Sequence, residues 1–196
     1  MSRDDVSKEL GPDYYDTHLD LVGLSLWESP WLAVYAIAAD FLATGEGPVV
    51  DVGCGTGRLA RLLYERGERD YLGIDFSAAR IKEARSYAPQ LRFEVGDVND
   101  ETVRRRFHDF GRFAILETLE HIEDDLGVIE AIPSRALVVL SVPTYDSAAH
   151  VRHFDSPTSV AQRYGELLEL DPGHAAVLPR ARRPHKQIFV FAGVRR

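Results

Sequence analysis

The sequence has a single cysteine, Cys54, among its 196 residues. An internal disulfide framework and a cysteine-based zinc cluster are therefore excluded. Positive charge is not in excess either: 23 Lys and Arg stand against 31 Asp and Glu, a formal net charge of −8. That argues against a protein that coats nucleic acid by bulk charge, though a local basic groove stays open. No apolar run is long enough to span a bilayer. The longest, from Trp31 to Leu42, is interrupted by Asp40 and reads as a buried helix. The start, Met1-Ser2-Arg3-Asp4-Asp5, is polar and acidic with no apolar stretch behind it. It does not read as a secretory signal, so a reducing cytoplasm is the expected compartment. Internal repeats and low-complexity linkers are also lacking.

What is present is an ordinary globular mixture, 45% hydrophobic and 28% charged, of a length that suits one structural domain. Within it, short β-rich runs alternate with helical stretches. Strands are expected at 49–52, 71–75, 91–95, 113–117, 136–142, 166–170 and 186–194. Helices are expected at 57–66, 78–87, 99–107, 123–131 and 157–164, with Ser77 and Ser156 as N-caps. No clear helix separates the last two strands, which favours their antiparallel pairing. Before this alternation, helices are expected at 14–26 and 31–43, split by Ser29-Pro30. The pattern predicts an α/β fold: a seven-stranded, mostly parallel, doubly wound (Rossmann-like) sheet over residues 47–196, with an N-terminal helical extension over residues 1–46.

The sharpest local signal is Val49-Val50-Asp51-Val52-Gly53-Cys54-Gly55-Thr56-Gly57. A buried strand runs into a glycine loop that opens a helix, a nucleotide-type site at the carboxyl end of the first strand. A dinucleotide fold would place its third glycine at position 58, where Arg58 stands, and no Gly-Lys-Ser/Thr follows for a phosphate loop. Asp51 at the strand end suits an ammonium group and not a phosphate. Asp75 ends the second strand 22 residues after Gly53, where an acid accepts hydrogen bonds from ribose hydroxyls. Asp97 ends the third strand. Taken singly, Asp75 reads as a helix N-terminal acid and Asp97 as a turn residue. Three acids at successive strand ends point to one ligand.

On these residues the chain resembles the class I S-adenosylmethionine-dependent methyltransferases. The glycine loop is similar to their motif I, Gly73-Ile74-Asp75-Phe76-Ser77 to motif II and Gly96-Asp97-Val98 to motif III. The resemblance implies a seven-stranded sheet whose last strand inserts antiparallel. It implies S-adenosylmethionine as cofactor. Asp51 and Gly53, Cys54, Gly55 and Gly57 would hold its methionine part, Asp75 its ribose and Asp97 its adenine, with Phe76, Val98 and Leu116 beside them. Cys54 itself reads as a small packing residue.

The fourth strand ends in Glu117-Thr118-Leu119-Glu120-His121. If the chain turns at Thr118, Glu117, Glu120 and His121 converge as two carboxylates and an imidazole, a donor set for Mg²⁺, Mn²⁺ or Zn²⁺. The E-x-x-E-H pattern resembles that of the ubiquinone-biosynthesis O-methyltransferases and of the small-RNA 3′-end 2′-O-methyltransferases, where these residues are metal ligands. The alternative is a loop-shaping or base role without metal. In the RNA enzymes a further histidine comes from downstream, for which His150 or His153 is a loose candidate. The segment Ser141-Val142-Pro143-Thr144 through His150-Val151-Arg152-His153-Phe154 resembles a substrate loop, with Thr144 where Asn is common. His121, His150 and His153 are the base candidates. Tyr14, Tyr15 and Tyr145 are candidate acceptor-lining residues, whereas Trp31, Tyr35 and Phe41 read as helix packing. The basic run from Arg180 through Arg182 and Arg183 to Lys186 reads as a solvated loop.

The expectation is a methyltransferase acting on a small-molecule acceptor, at a hydroxyl oxygen, with metal or histidine assistance, as a monomer or homodimer. The alternatives are a small-molecule N-methyltransferase, an RNA 3′-end 2′-O-methyltransferase and a catalytically silent S-adenosylmethionine-binding regulator. A dehydrogenase is disfavoured by Asp51 and Arg58.

Overall fold

The computed structural model describes residues 8–18, 23–180 and 183–196. Strand β1 (Val49–Val52) pairs in parallel with β2 (Tyr71–Asp75) on one side and β4 (Arg112–Leu116) on the other. The third strand, β3 (Arg92–Val95), extends the sheet from β2, and β5 (Leu137–Pro143) extends it from β4, both parallel. Beyond β5 come β6 (Leu168–Glu169), β7 (Ala176–Arg180) and β8 (Arg183–Arg195). The long β8 lies antiparallel to β5, and its other edge is shared by β6 and β7. The resulting order is β3-β2-β1-β4-β5-β8-β6, with β7 attached to β8.

This is the expected doubly wound sheet with its antiparallel last strand, enlarged by one strand. Residues 176–180 do not read as a strand in sequence because Pro179 removes an amide from the run. In the structure, the register shifts beside Pro179, the irregularity that lets a proline sit on a strand edge.

Helices cover both faces. On one, α2 (Leu32–Leu42), α3 (Arg58–Glu65) and α4 (Ala78–Tyr87) bury Leu42, Leu59, Leu63 and Ile81 against Val49, Tyr71 and Ala114. On the other, α5 (Glu101–Arg104), α6 (Asp125–Glu130) and α7 (Pro157–Tyr164) bury Val128, Ile129, Val160 and Tyr164 against Val50, Phe113 and Val138. Successive residues of β1 and β4 alternate between the two cores, as a strand covered on both faces requires. Ser77 and Ser156 accept the amide hydrogen bonds that make them N-caps. The N-terminal segment departs from expectation. Its helix, α1 (Pro12–Thr17), starts at a proline and stops at Thr17. Gly23 takes a left-handed φ of 82°, and a 3₁₀ turn follows at Leu26–Glu28. Among the described residues, no helix is long and apolar enough to cross a membrane.

One buried polar knot joins α6 to α7. Asp125, 1% exposed, accepts hydrogen bonds from Arg163 Nε (2.7 Å), Arg163 Nη2 (2.6 Å) and Tyr164 Oη (2.8 Å). Arg152 lies 3.3 Å away as a second cation. Removing the carboxylate leaves the buried Tyr164 hydroxyl without its acceptor and takes the counter-charge from Arg163 at the surface end of the knot. Asp125→Ala is therefore expected to destabilise the fold by about 3 kcal/mol in urea unfolding, and a loss below about 1 kcal/mol would show the knot to be dispensable.

Candidate functional site

The carboxyl end of β1 opens into the glycine loop. Gly53, Gly55 and Gly57 hold φ values of 74°, 52° and 79°, a left-handed run that residues with a Cβ rarely adopt. A Cβ on Gly53 would lie 2.4 Å from Thr118 Oγ1. At Gly55 it would meet nothing within 4 Å, because that residue faces the open cleft. Gly57 turns away from the cleft and packs against Ala84 of α4. Asp75 ties the loop to β2: its carboxylate accepts the Gly55 and Ser77 amides, each at 2.9 Å. Burial pushes its pKa up against those two bonds. Asp51 lies beneath the loop, accepting from Tyr71 Oη at 2.6 Å, and burial raises its pKa to about 7. Cys54 is a buried thiol whose pKa burial raises further, so it is an unreactive packing residue. Arg58 is buried on the helix, donating to Thr56 O (2.9 Å) and Leu24 O (2.6 Å).

Around this loop the cleft has two connected halves. One is walled by Asp75, Phe76, Asp97 and Val98, with Asp97 exposed at the rim and accepting the Asn99 amide at 2.8 Å. The other is walled by Asp51, Cys54, Gly55, Leu116, Tyr14 and Tyr145. Gly53, Tyr15, Arg80, Glu117 and His121 belong to both. The N-terminal segment closes over this junction. Asp16 accepts from Ser77 Oγ (2.5 Å) and the Ala79 amide (3.2 Å), and Glu9 accepts from Asn99 Nδ2 (2.6 Å) and the Glu123 amide (2.7 Å). Sequence reasoning missed Glu9, Asp16 and Arg80.

The chain leaves β4 at Glu117 with a φ of 50°, uncommon for a non-glycine residue. Ser141 of β5 holds it there: its hydroxyl accepts the Glu117 amide at 2.9 Å and donates to Glu117 Oε1 at 3.0 Å. A 3₁₀ turn at Leu119–His121 follows. It points Glu120 inward, where the side chain is fully buried and neither carboxyl oxygen has a hydrogen-bond partner. Burial raises the pKa of both Glu117 and Glu120, and the neighbouring Glu117 raises that of Glu120 further.

Two histidines face this carboxyl. His121 Nδ1 lies 2.8 Å from Ala149 O, and His150 Nδ1 lies 3.0 Å from Tyr145 O. A carbonyl partner assigns the proton to Nδ1, which leaves each Nε2 with a bare lone pair. Tyr15 Oη sits 3.0 Å from the same His121 nitrogen. Burial lowers the pKa of His121 to about 4 and also lowers that of His150, so both rings are neutral at pH 7. Ligand atoms of Glu120, His121 and His150 lie within 4.8 Å of one another, a grouping that does not include Glu117. His153 is exposed and lines neither half of the cleft.

What brings His150 to residues nearly thirty positions earlier is Arg152, which sequence reasoning did not single out. Its Nη1 donates to the carbonyls of Leu119 and Ile122, and its Nη2 to Glu123 O at 3.0 Å. The Val151 amide adds a bond to Glu120 O at 2.8 Å. Arg180 was expected on a solvated loop, but it lines the cleft beside Tyr145. Its neighbour Arg182 lies outside the described residues.

Residues 49–133 match a family model described as a methyltransferase domain. A ubiquinone biosynthesis O-methyltransferase of Neisseria meningitidis is 28% identical over 125 residues, 61% of this chain and 42% of the relative. One from Alkalilimnicola ehrlichii is 35% identical over 86 residues, 42% of this chain and 34% of that protein. The chain thus spans about two fifths of the length of the first of these curated relatives. Among solved structures, the 1,6-didemethyltoxoflavin-N1-methyltransferase of Burkholderia thailandensis superposes with a TM-score of 0.67 at 19% identity, covering 95% of this chain and 91% of that one. The magnesium protoporphyrin IX methyltransferase of Synechocystis, with S-adenosylhomocysteine bound, gives 0.67 at 15% identity over 94% and 98%. At such identities the structures establish the fold.

The Arg152 latch is open to direct test. Arg152→Ala should speed amide hydrogen exchange across 119–123 and 150–154 by roughly tenfold or more, leaving the core strands unchanged. Unaltered exchange in both segments would contradict the latch.

Proposed function

We propose, for a chain that carries a class I S-adenosylmethionine-dependent methyltransferase domain, that it transfers a methyl group to a hydroxyl oxygen of a small-molecule acceptor. The observation that carries the reading is the convergence of Asp51, Asp75 and Asp97 on one cleft from the ends of β1, β2 and β3, around a left-handed glycine loop. Gly55 opens onto the cleft with room for a ligand against the backbone. Asp51 would meet the methionine ammonium, Asp75 the ribose hydroxyls, and Asp97 with Val98 the adenine. The cofactor supplies a methyl carbon that a sulfonium already makes electrophilic. The chain's task is to align the acceptor and take its proton, and alignment alone can contribute effective molarities on the order of 10⁵ M or more.

The acceptor would lie in the half of the cleft walled by Tyr14, Tyr15 and Tyr145. As its oxygen attacks, the carbon–oxygen bond forms, the carbon–sulfur pair stays on sulfur, and the hydroxyl proton passes to the protein. Glu117 is the carboxyl that borders both halves. We assign the proton to it in preference to His121, whose pKa near 4 makes a weak base at neutral pH.

Glu120, His121 and His150 together suit a divalent cation. A buried carboxyl with no partner on either oxygen and two bare imidazole nitrogens form a donor set closer to Zn²⁺ or Mn²⁺ than to Mg²⁺, which prefers oxygen. Such an ion, held by these three residues, would supply Lewis acidity. The net charge of −8 argues against an RNA substrate.

Calorimetry with S-adenosylhomocysteine tests the cofactor reading; micromolar binding is expected, and none would overturn it. Burial disfavours ionised Asp51, so its contribution to stability falls as pH rises from about 4 toward about 7. An ammonium ligand needs that ionised form. Affinity should therefore rise several-fold from about pH 6 to about pH 8, and Asp51→Asn should weaken binding and flatten the profile. A profile unchanged by Asp51→Asn would remove Asp51 from the ammonium site. Titration with Zn²⁺ alone should show one site per chain, weakened by roughly tenfold to a hundredfold in Glu120→Gln. Equal binding by both proteins would place the ion elsewhere.

A further inference from the structure

At the end of β7, Arg180 reaches the acceptor half of the cleft. Its Nη1 donates to Tyr145 Oη at 2.9 Å, and its guanidinium lies 4.5 Å from the centre of the Trp31 ring and 5.4 Å from that of Tyr145. Lys186 of β8 sets a second cation against the same tyrosine, its Nζ 4.6 Å from the ring centre. Neither cation forms an ion pair among the described residues. The negative group that Arg180 does feel is Glu117, whose Oε1 is already engaged by Ser141. The other acid, Glu120, is turned into the interior. A guanidinium carries five donors in a planar fork, and the single bond to Tyr145 leaves most of them for a ligand.

We propose that Arg180, supported by Tyr145 and Lys186, is the specificity-determining residue for an acceptor that carries a carboxylate. The planar fork matches the two oxygens of a carboxylate, and Trp31 and Tyr145 offer flat walls to the carbon frame that bears it. The term acceptor rests on the methyltransferase reading; the anion site itself rests on the geometry of Arg180, Tyr145 and Lys186.

The probes are 3,4-dihydroxybenzoate and its methyl ester, which differ in charge but share the ring. Binding of each to the full chain is measured by calorimetry with and without saturating S-adenosylhomocysteine. The acid should bind at least roughly tenfold more tightly than the ester, as a charge-assisted fork warrants. Arg180→Gln should erase that preference, and Arg180→Lys should restore part of it, with affinity for S-adenosylhomocysteine within about twofold of the parent in both. Equal affinity for acid and ester, or binding of neither, overturns the proposal. A loss of more than about tenfold in S-adenosylhomocysteine affinity in Arg180→Gln also overturns it, because Arg180 would then hold the cofactor's own carboxylate. If S-adenosylhomocysteine does not bind the parent chain while the acid preference persists, the methyltransferase reading fails and the anion site stands.

Discussion

Parallel pairing of β1 with β2 and β4 forces the carboxyl ends of these strands to one edge of the sheet, and the site depends on that constraint. A single-residue slip would turn Asp51 from one core to the other and carry Val50 and Val52 with it. Once the register is fixed, Asp75 reaches the Gly55 amide and Glu117 reaches Ser141 without any further search. The glycine loop, the acids and the β4 turn are then neighbours because their strands are neighbours. The antiparallel β8 continues the sheet past β5, and the hairpin it makes with β7 brings Arg180 and Lys186 toward the cleft.

The cleft sets buried acids against cations that come from other elements. Asp51, Asp75, Glu117 and Glu120 all have their pKa raised by burial. Left charged and unpaired, such groups would oppose folding. Tyr71 and the loop amides offset part of that for Asp51 and Asp75. For Glu120 no hydrogen bond does so, and the neutral imidazoles beside it complete a donor set and not an ion pair. Perturbed groups gathered in one cleft mark the functional site more securely than any one of them would. Its neighbour Arg152 spends its donors on backbone carbonyls, which fixes the shape of the turn that carries Glu120 and His121.

Most of the fold was legible because its signals are local. Alternating apolar residues, glycines at forced turns and serine caps mark β1, α4 and α7 at the bounds the structure shows or within a residue of them. The acids at three strand ends were legible for the same reason. The remainder depends on distance in space. Nothing in the sequence separates His150 from His153, three residues apart in one loop; only the folded loop buries the first and exposes the second. Arg180 lay in a basic run that looked like solvated surface, and Pro179 hid the strand that aims it. The helix expected at 14–26 stops at Thr17 because the segment is shaped by Asp16 capping α4 and by Gly23, and not by its own periodicity.

A crystal structure of the chain with S-adenosylhomocysteine bound addresses the central claim most directly. Ribose hydroxyls are expected on Asp75, adenine beside Asp97 and Val98, the methionine ammonium near Asp51, and the sulfur directed to the half of the cleft that holds Glu117 and Tyr145. A ligand seated elsewhere, or one bound in this cleft with its sulfur turned away from Glu117 and Tyr145, would contradict it.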